Sequence, residues 1–152
     1  MAATRNTILE EITSQPVFHL AFIVDDLAAA RVFYGDILNC PIGRSTDSWM
    51  DFNFFGYQIT AHLAAKSSEP AVSNEVDGEN IPVPHFGLIL GWDDWHQAVD
   101  HLNYIGVDYL VPPQIRFAGE VGEQATFFIR DPSGNCLEFK AFKVADDVFR
   151  PF

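Results

Sequence analysis

FFIRDPSGNCLEFKAF, residues 127–142, consists of two apolar runs around a turn, with one carboxylate where an apolar strand has no use for charge. In the turn, Asp131-Pro132-Ser133-Gly134-Asn135, the proline presets φ while Gly134 and Asn135 tolerate positive φ, so the segment reads as a hairpin. Alternation in the second run sends Leu137 and Phe139 to one side and Cys136, Glu138 and Lys140 to the other. Glu138, bounded by Leu and Phe, is then either solvated on an open sheet face or held by a cation. Local composition favours solvation; residues elsewhere in the chain favour the cation.

The surrounding chain is 152 residues long, 48% apolar and 20% charged, which suits one domain or two small packed modules with a sizeable core. Its net charge of −12, from 21 acidic and 9 basic residues, repels phosphate backbones and anionic lipid surfaces and argues against a nucleic-acid partner. No apolar run approaches the ~20 residues of a membrane span, and MAATRNTILEEITSQ has no basic region followed by an apolar core. These features predict a cytoplasmic protein with no membrane partner. Cys40 and Cys136 fit a reducing compartment as free thiols. The 14 phenylalanines, many in alternating runs, predict a sheet-rich core.

Taken in order, residues 1–15 form an N-terminal arm with Thr7 and Glu10 at capping-box spacing. The first module, 16–64, opens with a strand over Val17 to Val24, in which His19, Ala21 and Ile23 share one face. Asp25-Asp26 caps a helix over Leu27 to Leu38 that buries Leu27, Ala30, Phe33 or Tyr34, and Leu38, and Asn39 closes it. After Pro41-Ile42-Gly43 come strands at Trp49 to Phe54 and Tyr57 to Leu63, joined at Phe55-Gly56. Residues 65–83 are polar, acidic and rich in turn formers, which predicts a linker or surface excursion. The second module, 84–142, restarts with a strand over Pro84 to Leu90, a helix capped by Asp93-Asp94 and ended by Gly106, a short strand near Asp108 to Val111, an irregular stretch PPQIRFAGEVGE, and the hairpin. Residues 143–152 are a tail.

The second module reads β-α-β-β-β, the first is read on the same plan although only two strands are placed after its helix, and their residues echo one another. His19-Leu20-Ala21-Phe22-Ile23 before Asp25-Asp26 matches His85-Phe86-Gly87-Leu88-Ile89 before Asp93-Asp94. Gly56-Tyr57-Gln58-Ile59-Thr60 matches Gly134-Asn135-Cys136-Leu137-Glu138. Such a repeat predicts an α+β fold of two paired βαβββ modules, helices buried on one face of a curved mixed sheet and a cleft on the other. His19, His85 and Glu138 then share the concave face. Two imidazoles and a carboxylate with open positions suit non-haem Fe(II) chemistry, or Lewis-acid work with Mn, Ni or Zn.

The stretches HLAFIVDDLAAARVFYGDILNC (19–40), PHFGLIL (84–90) and FIRDPSGNCLEF (128–139) resemble the vicinal oxygen chelate superfamily of glyoxalase I, fosfomycin-resistance enzymes, bleomycin-resistance proteins and extradiol dioxygenases. The chain is most similar to small extradiol-type dioxygenases, with FGYQITAHL (55–63) as a further likeness. The resemblance implies a divalent metal, most simply Fe(II), on His19, His85 and Glu138, a small chelating, catechol-like substrate, and a homodimer. It departs at Phe128, where the extradiol pattern carries a tyrosine.

His62 falls two positions past Thr60, the repeat equivalent of Glu138. Extradiol enzymes resemble this placement with an acid/base histidine, so His62 reads as a proton shuttle, a fourth ligand or an unrelated cleft histidine. By alternation Trp49, Asp51, Asn53, Thr126 and Arg130 face inward, Phe128 joins the substrate-side candidates, and Arg116 reads as an anion contact or a surface cation. His96 and His101 belong to the boundary of the second helix. A glyoxalase-I-like isomerase or lyase would add His62 or Gln58 as a further ligand. A metal-free drug binder of the bleomycin-resistance type has no use for the three ligand positions.

Overall fold

The computed structural model describes residues 14–70, 72–76 and 78–151. The arm's capping-box pair, Thr7 and Glu10, lies outside the described residues. Two compact units meet in sequence between Ala64 and Ala65, and each holds one βαβββ module. Among the described residues no helix is long and apolar enough to cross a membrane.

In the first module β1 (His19–Val24), β2 (Ile42–Ser45), β3 (Trp49–Phe54) and β4 (Tyr57–Leu63) form a four-stranded sheet in the order β1-β4-β3-β2. β1 runs parallel to β4, with His19 opposite Gln58 and Ala21 opposite Thr60. β3 pairs antiparallel with β4, placing Asp51 opposite Thr60 and Trp49 opposite His62. The helix α1 begins at Leu27–Ala30, where the Asp26 side chain accepts a hydrogen bond from the Ala29 backbone N–H at 3.0 Å, the expected cap.

From Arg31 to Ile37 the same helix widens to π geometry, and Leu38 N–H donates to the Phe33 carbonyl five residues back. The wider turn brings Phe33 and Tyr34 inward together, where a regular helix would have favoured one. Tyr34 is fully buried, with ring centroids 5.4 Å from Phe22 and 5.2 Å from Phe52. Val24, Phe52, Ile59 and Ala61 complete this core. The opposite face carries His19, Asp51, Gln58, Thr60 and His62.

The second module repeats the plan. β7 (Phe86–Leu90), β8 (Val111–Arg116), β9 (Gln124–Arg130) and β10 (Cys136–Phe142) lie in the order β7-β10-β9-β8. β7 is parallel to β10, with Gly87 opposite Glu138, and β9 is antiparallel to it, with Phe128 opposite Glu138. The repeat register inferred from sequence therefore holds residue by residue: Ala21 to Thr60 in one module is Gly87 to Glu138 in the other. The helix α2 (Trp92–Ile105) buries Trp95 and Leu102, and the Trp95 indole donates to the Phe139 carbonyl at 2.9 Å. Phe127 stacks on Phe139 at 5.3 Å beneath it. Such aromatic pairs contribute about 1 kcal/mol beyond the area they bury.

Several local expectations are corrected, the first being that Ile42–Ser45, where no strand was expected, forms β2. The N-cap of α2 is Gly91, with Asp93 and Asp94 in the first turn, where they still oppose the positive end of the helix dipole. The strand expected near Asp108 to Val111 lies at Val111–Arg116 and contains Pro112 and Pro113. It tolerates them because β8 is an edge strand whose register shifts between Val111 and Gln114, so the missing N–H groups interrupt little of the ladder. The stretch expected as a linker or surface excursion carries a hairpin, β5 (Val72–Val76) with β6 (Glu79–Val83). Its Ile81 is buried in one cluster with Val111, Phe128 and Cys136, which are spaced through the second sheet. That anchoring drew little signal from a polar stretch in which a single isoleucine does the packing.

The opening hairpin is held at its turn by Asp131, itself buried, which accepts hydrogen bonds from the backbone N–H groups of Ser133 and Asn135 and from the Asn135 amide. Residues 143–144 lead into a 3-10 turn at Ala145–Phe149.

Candidate functional site

The second sheet brings His85 and Glu138 together. His85 lies just ahead of β7, and its ring packs edge-on against Phe128 with centroids 5.2 Å apart. Its Nδ1 lies 2.8 Å from the Pro82 carbonyl oxygen, which can only accept, so Nδ1 carries the proton. Nε2 is thereby directed at Glu138 Oε1, 3.3 Å away. The other carboxylate oxygen, Oε2, accepts from the Thr126 hydroxyl at 2.6 Å.

This arrangement has a chemical consequence. A neutral imidazole with its proton on Nδ1 presents a lone pair at Nε2, and Glu138 Oε1 also presents lone pairs. Two acceptors facing each other call for a shared proton or a metal cation between them. Side-chain exposures of 26% for His85 and 13% for Glu138 leave the pair half-buried with an open side. One N donor and one O donor, each held by a second hydrogen bond to the protein, fit a divalent metal.

Gly87 explains how the strands come so close here. A β-carbon at Gly87 would overlap the Glu138 backbone carbonyl oxygen, so any side chain there must push β7 away from β10. Neither Gly87 nor the Pro82 carbonyl stood out in the sequence. An isolated glycine in an apolar run signals a close approach without saying to what.

Of the remaining predicted positions, Thr126 and Phe128 are buried, the first bonded to Glu138 and the second supporting the imidazole. Arg116 ends β8 opposite Gln124. Cys136 is a buried thiol, pushed up to about 11 by desolvation and by Glu138, with Arg130 acting in the opposite direction. His96 stays at the surface of α2, its Nδ1 2.8 Å from the Trp92 carbonyl and its ring beside Trp92 and Trp95.

In the first module His19, Trp49, Asp51, Asn53 and His62 share one sheet face by register. His62 is exposed and stands opposite Ile23, four strand positions from the level of His19, or about 13 Å along the sheet. Asp51 is buried and accepts from the Thr60 hydroxyl at 2.6 Å and the Gln58 amide at 3.3 Å. A pocket of about 320 Å3 beside it is bordered by Val17, Arg44, Asn53 and Tyr57. Among the described residues no three His, Cys, Asp or Glu side chains gather in metal-binding proximity.

Residues 17–139 match the family model of the Glyoxalase/Bleomycin resistance protein/Dioxygenase superfamily, and the chain belongs to that superfamily. Its structure is similar to that of a glyoxalase/bleomycin resistance protein/dioxygenase from Alicyclobacillus acidocaldarius, with 28% identity and a TM-score of 0.74 over 89% of this chain and 97% of that one. The fold is also shared with the fosfomycin resistance protein FosX from Listeria monocytogenes, at 18% identity and a TM-score of 0.63 over 90% and 100% of the two chains. A lactoylglutathione lyase from Agrobacterium tumefaciens shares it at 15% identity and a TM-score of 0.61 over 92% and 100%. No curated protein matches the chain.

Proposed function

We propose that this protein is a metal-dependent enzyme of the vicinal oxygen chelate type, an extradiol-like dioxygenase acting on a small, catechol-like substrate. The observation that carries the reading is the facing pair of acceptors, His85 Nε2 and Glu138 Oε1, 3.3 Å apart with the His85 proton committed to Pro82. Superfamily members typically use a divalent metal, which fits this donor pair. His19, its counterpart in the first module, is the proposed third ligand. A bound divalent metal supplies Lewis-acid polarisation of two neighbouring substrate oxygens and, as Fe(II), redox chemistry with dioxygen.

The chain's own residues do the rest. The Pro82 carbonyl holds the His85 tautomer, Phe128 limits rotation of its ring, and the Thr126 hydroxyl orients the Glu138 carboxylate. His62, exposed on the His19 face, is the proposed carrier of the substrate hydroxyl proton. The proposed assembly is a cytoplasmic homodimer.

Metal analysis of anaerobically purified protein tests the reading, together with oxygen uptake over a panel of catechols. Near one equivalent of metal, lost in His85→Ala, supports it. Folded protein that takes up no Fe(II), Mn(II), Ni(II) or Zn(II) refutes it.

One observation favours a second reading. Gln58 lies opposite His19, and its amide nitrogen donates to Asp51 Oδ2, which turns the amide oxygen away from that carboxylate. That oxygen is available as an additional ligand, as in an isomerase or lyase resembling glyoxalase I. Turnover of a 2-oxoaldehyde–thiol adduct without oxygen uptake selects this reading over the dioxygenase.

A further inference from the structure

The first module holds a carboxylate that the repeat does not explain. Asp51 stands opposite Thr60, where the second module has Phe128 opposite Glu138. In each module a threonine hydroxyl donates to the acid at 2.6 Å, but the first module carries its acid on β3 and the second on β10, the counterpart of β4. Asp51 is therefore no copy of Glu138.

Its charge is buried and unbalanced. Asp51 is 7% exposed, and its hydrogen bonds come from neutral donors, the Thr60 hydroxyl and the Gln58 amide at 3.3 Å. Among the described residues no lysine or arginine forms an ion pair with it. Neutral donors return only part of the hydration that a carboxylate loses on burial, so a cation beside Asp51 is stabilising. Space for one exists, because Asp51 lines the cavity of about 320 Å3 in this module.

The same cavity carries groups suited to an anion. Arg44 lines it, with its guanidinium 5.8 Å from the centre of the Trp49 ring and no ion pair among the described residues. Trp49 precedes Asp51 by two positions on β3, so the ring under the guanidinium stands on the Asp51 face, about 7 Å along the strand. Asn53, two positions beyond Asp51, commits its amide oxygen to the Gly56 N–H at 2.8 Å, which leaves its NH2 group to donate. A buried acid and a guanidinium thus share one cavity without pairing with each other.

We propose that this cavity binds the zwitterionic head of a small α-amino acid, with the ammonium on Asp51 and the carboxylate on Arg44 and Asn53. An ammonium alone leaves Arg44 without a counter-charge, and a carboxylate alone meets the like charge of Asp51. A ligand with both signs a few atoms apart satisfies the two together. The inference needs neither a metal nor the reaction proposed above.

The test is a titration of the full, chelator-treated chain with L-alanine, followed by backbone amide NMR, with methylammonium and acetate as probes that carry one charge each. Saturable shifts centred on Gly43, Arg44, Gly56 and Gln58 are the expected result, with each single-charge probe weaker by about tenfold or more. Asp51→Asn keeps the size of the side chain and weakens alanine binding by about tenfold or more. Arg44→Gln, at an exposed position, weakens it similarly and is the deciding variant if Asp51→Asn does not fold. Shifts that fail to saturate, that centre elsewhere, that either single-charge probe reproduces at equal concentration, or that persist unchanged in a folded variant overturn the proposal. Because the protein is metal-free throughout, the outcome is separate from that of the metal analysis.

Discussion

Gly87 and Glu138 face each other across a parallel strand pair so closely that a single added methyl group would occupy the position of the Glu138 carbonyl oxygen. The site carboxylate is therefore positioned by the absence of a side chain on its neighbour. Gly87→Ala separates β7 from β10 or distorts both. The expected loss is about 3 kcal/mol or more in urea denaturation, at the upper end of overpacking costs. A variant as stable as the parent would contradict this packing.

Thr126→Val keeps shape and burial while removing the hydroxyl that donates to Glu138 Oε2 at 2.6 Å. The carboxylate then loses one of its two orienting partners. Affinity for a divalent metal, measured by competition with a chromophoric chelator, is expected to fall by roughly 10-fold or more with the fold intact.

Asp131 holds the turn between β9 and β10 with three hydrogen bonds from Ser133 and Asn135. Asp131→Ala leaves those donors without their acceptor in a half-buried turn. Thermal unfolding is expected to show a loss of about 2–4 kcal/mol. Asp131→Asn, which keeps one acceptor oxygen, recovers part of it.

Cys40 is buried, and desolvation pushes its thiol from 9.0 up to about 11. The folded pKa is above the unfolded one, so the protonated thiol's stabilising contribution is whole below pH 9 and is lost as pH rises from 9 to 11. At the upper end the loss is about 2 kcal/mol. Urea midpoints measured across this range fall with pH, and Cys40→Ala makes the fall shallower. Native protein is also expected to resist thiol reagents at pH 8, with both cysteines reacting only after unfolding.

The fold was legible in the amino-acid order because its signals are local. Period-two alternation set the faces of Leu137 and Phe139 against Glu138, Asp26 marked the start of α1, Gly106 ended α2 in a left-handed conformation, and the duplicated registers of His19 and His85 announced the repeat. The residue types at the site were readable for the same reason. What the order of residues did not disclose depends on backbone atoms far apart in the chain. The Pro82 carbonyl that selects the His85 tautomer comes from a hairpin that reads as a polar linker. The π turn that buries Phe33 with Tyr34 answers to ring packing against Phe22 and Phe52. The tail is tied to the loop ahead of β9 because Asp147 finds the Gly122 N–H 25 residues away. Sequence alone determined which side chains are available on which face. Tertiary structure decided which lone pairs meet and what space stays open between them, because those depend on distances that periodicity does not carry.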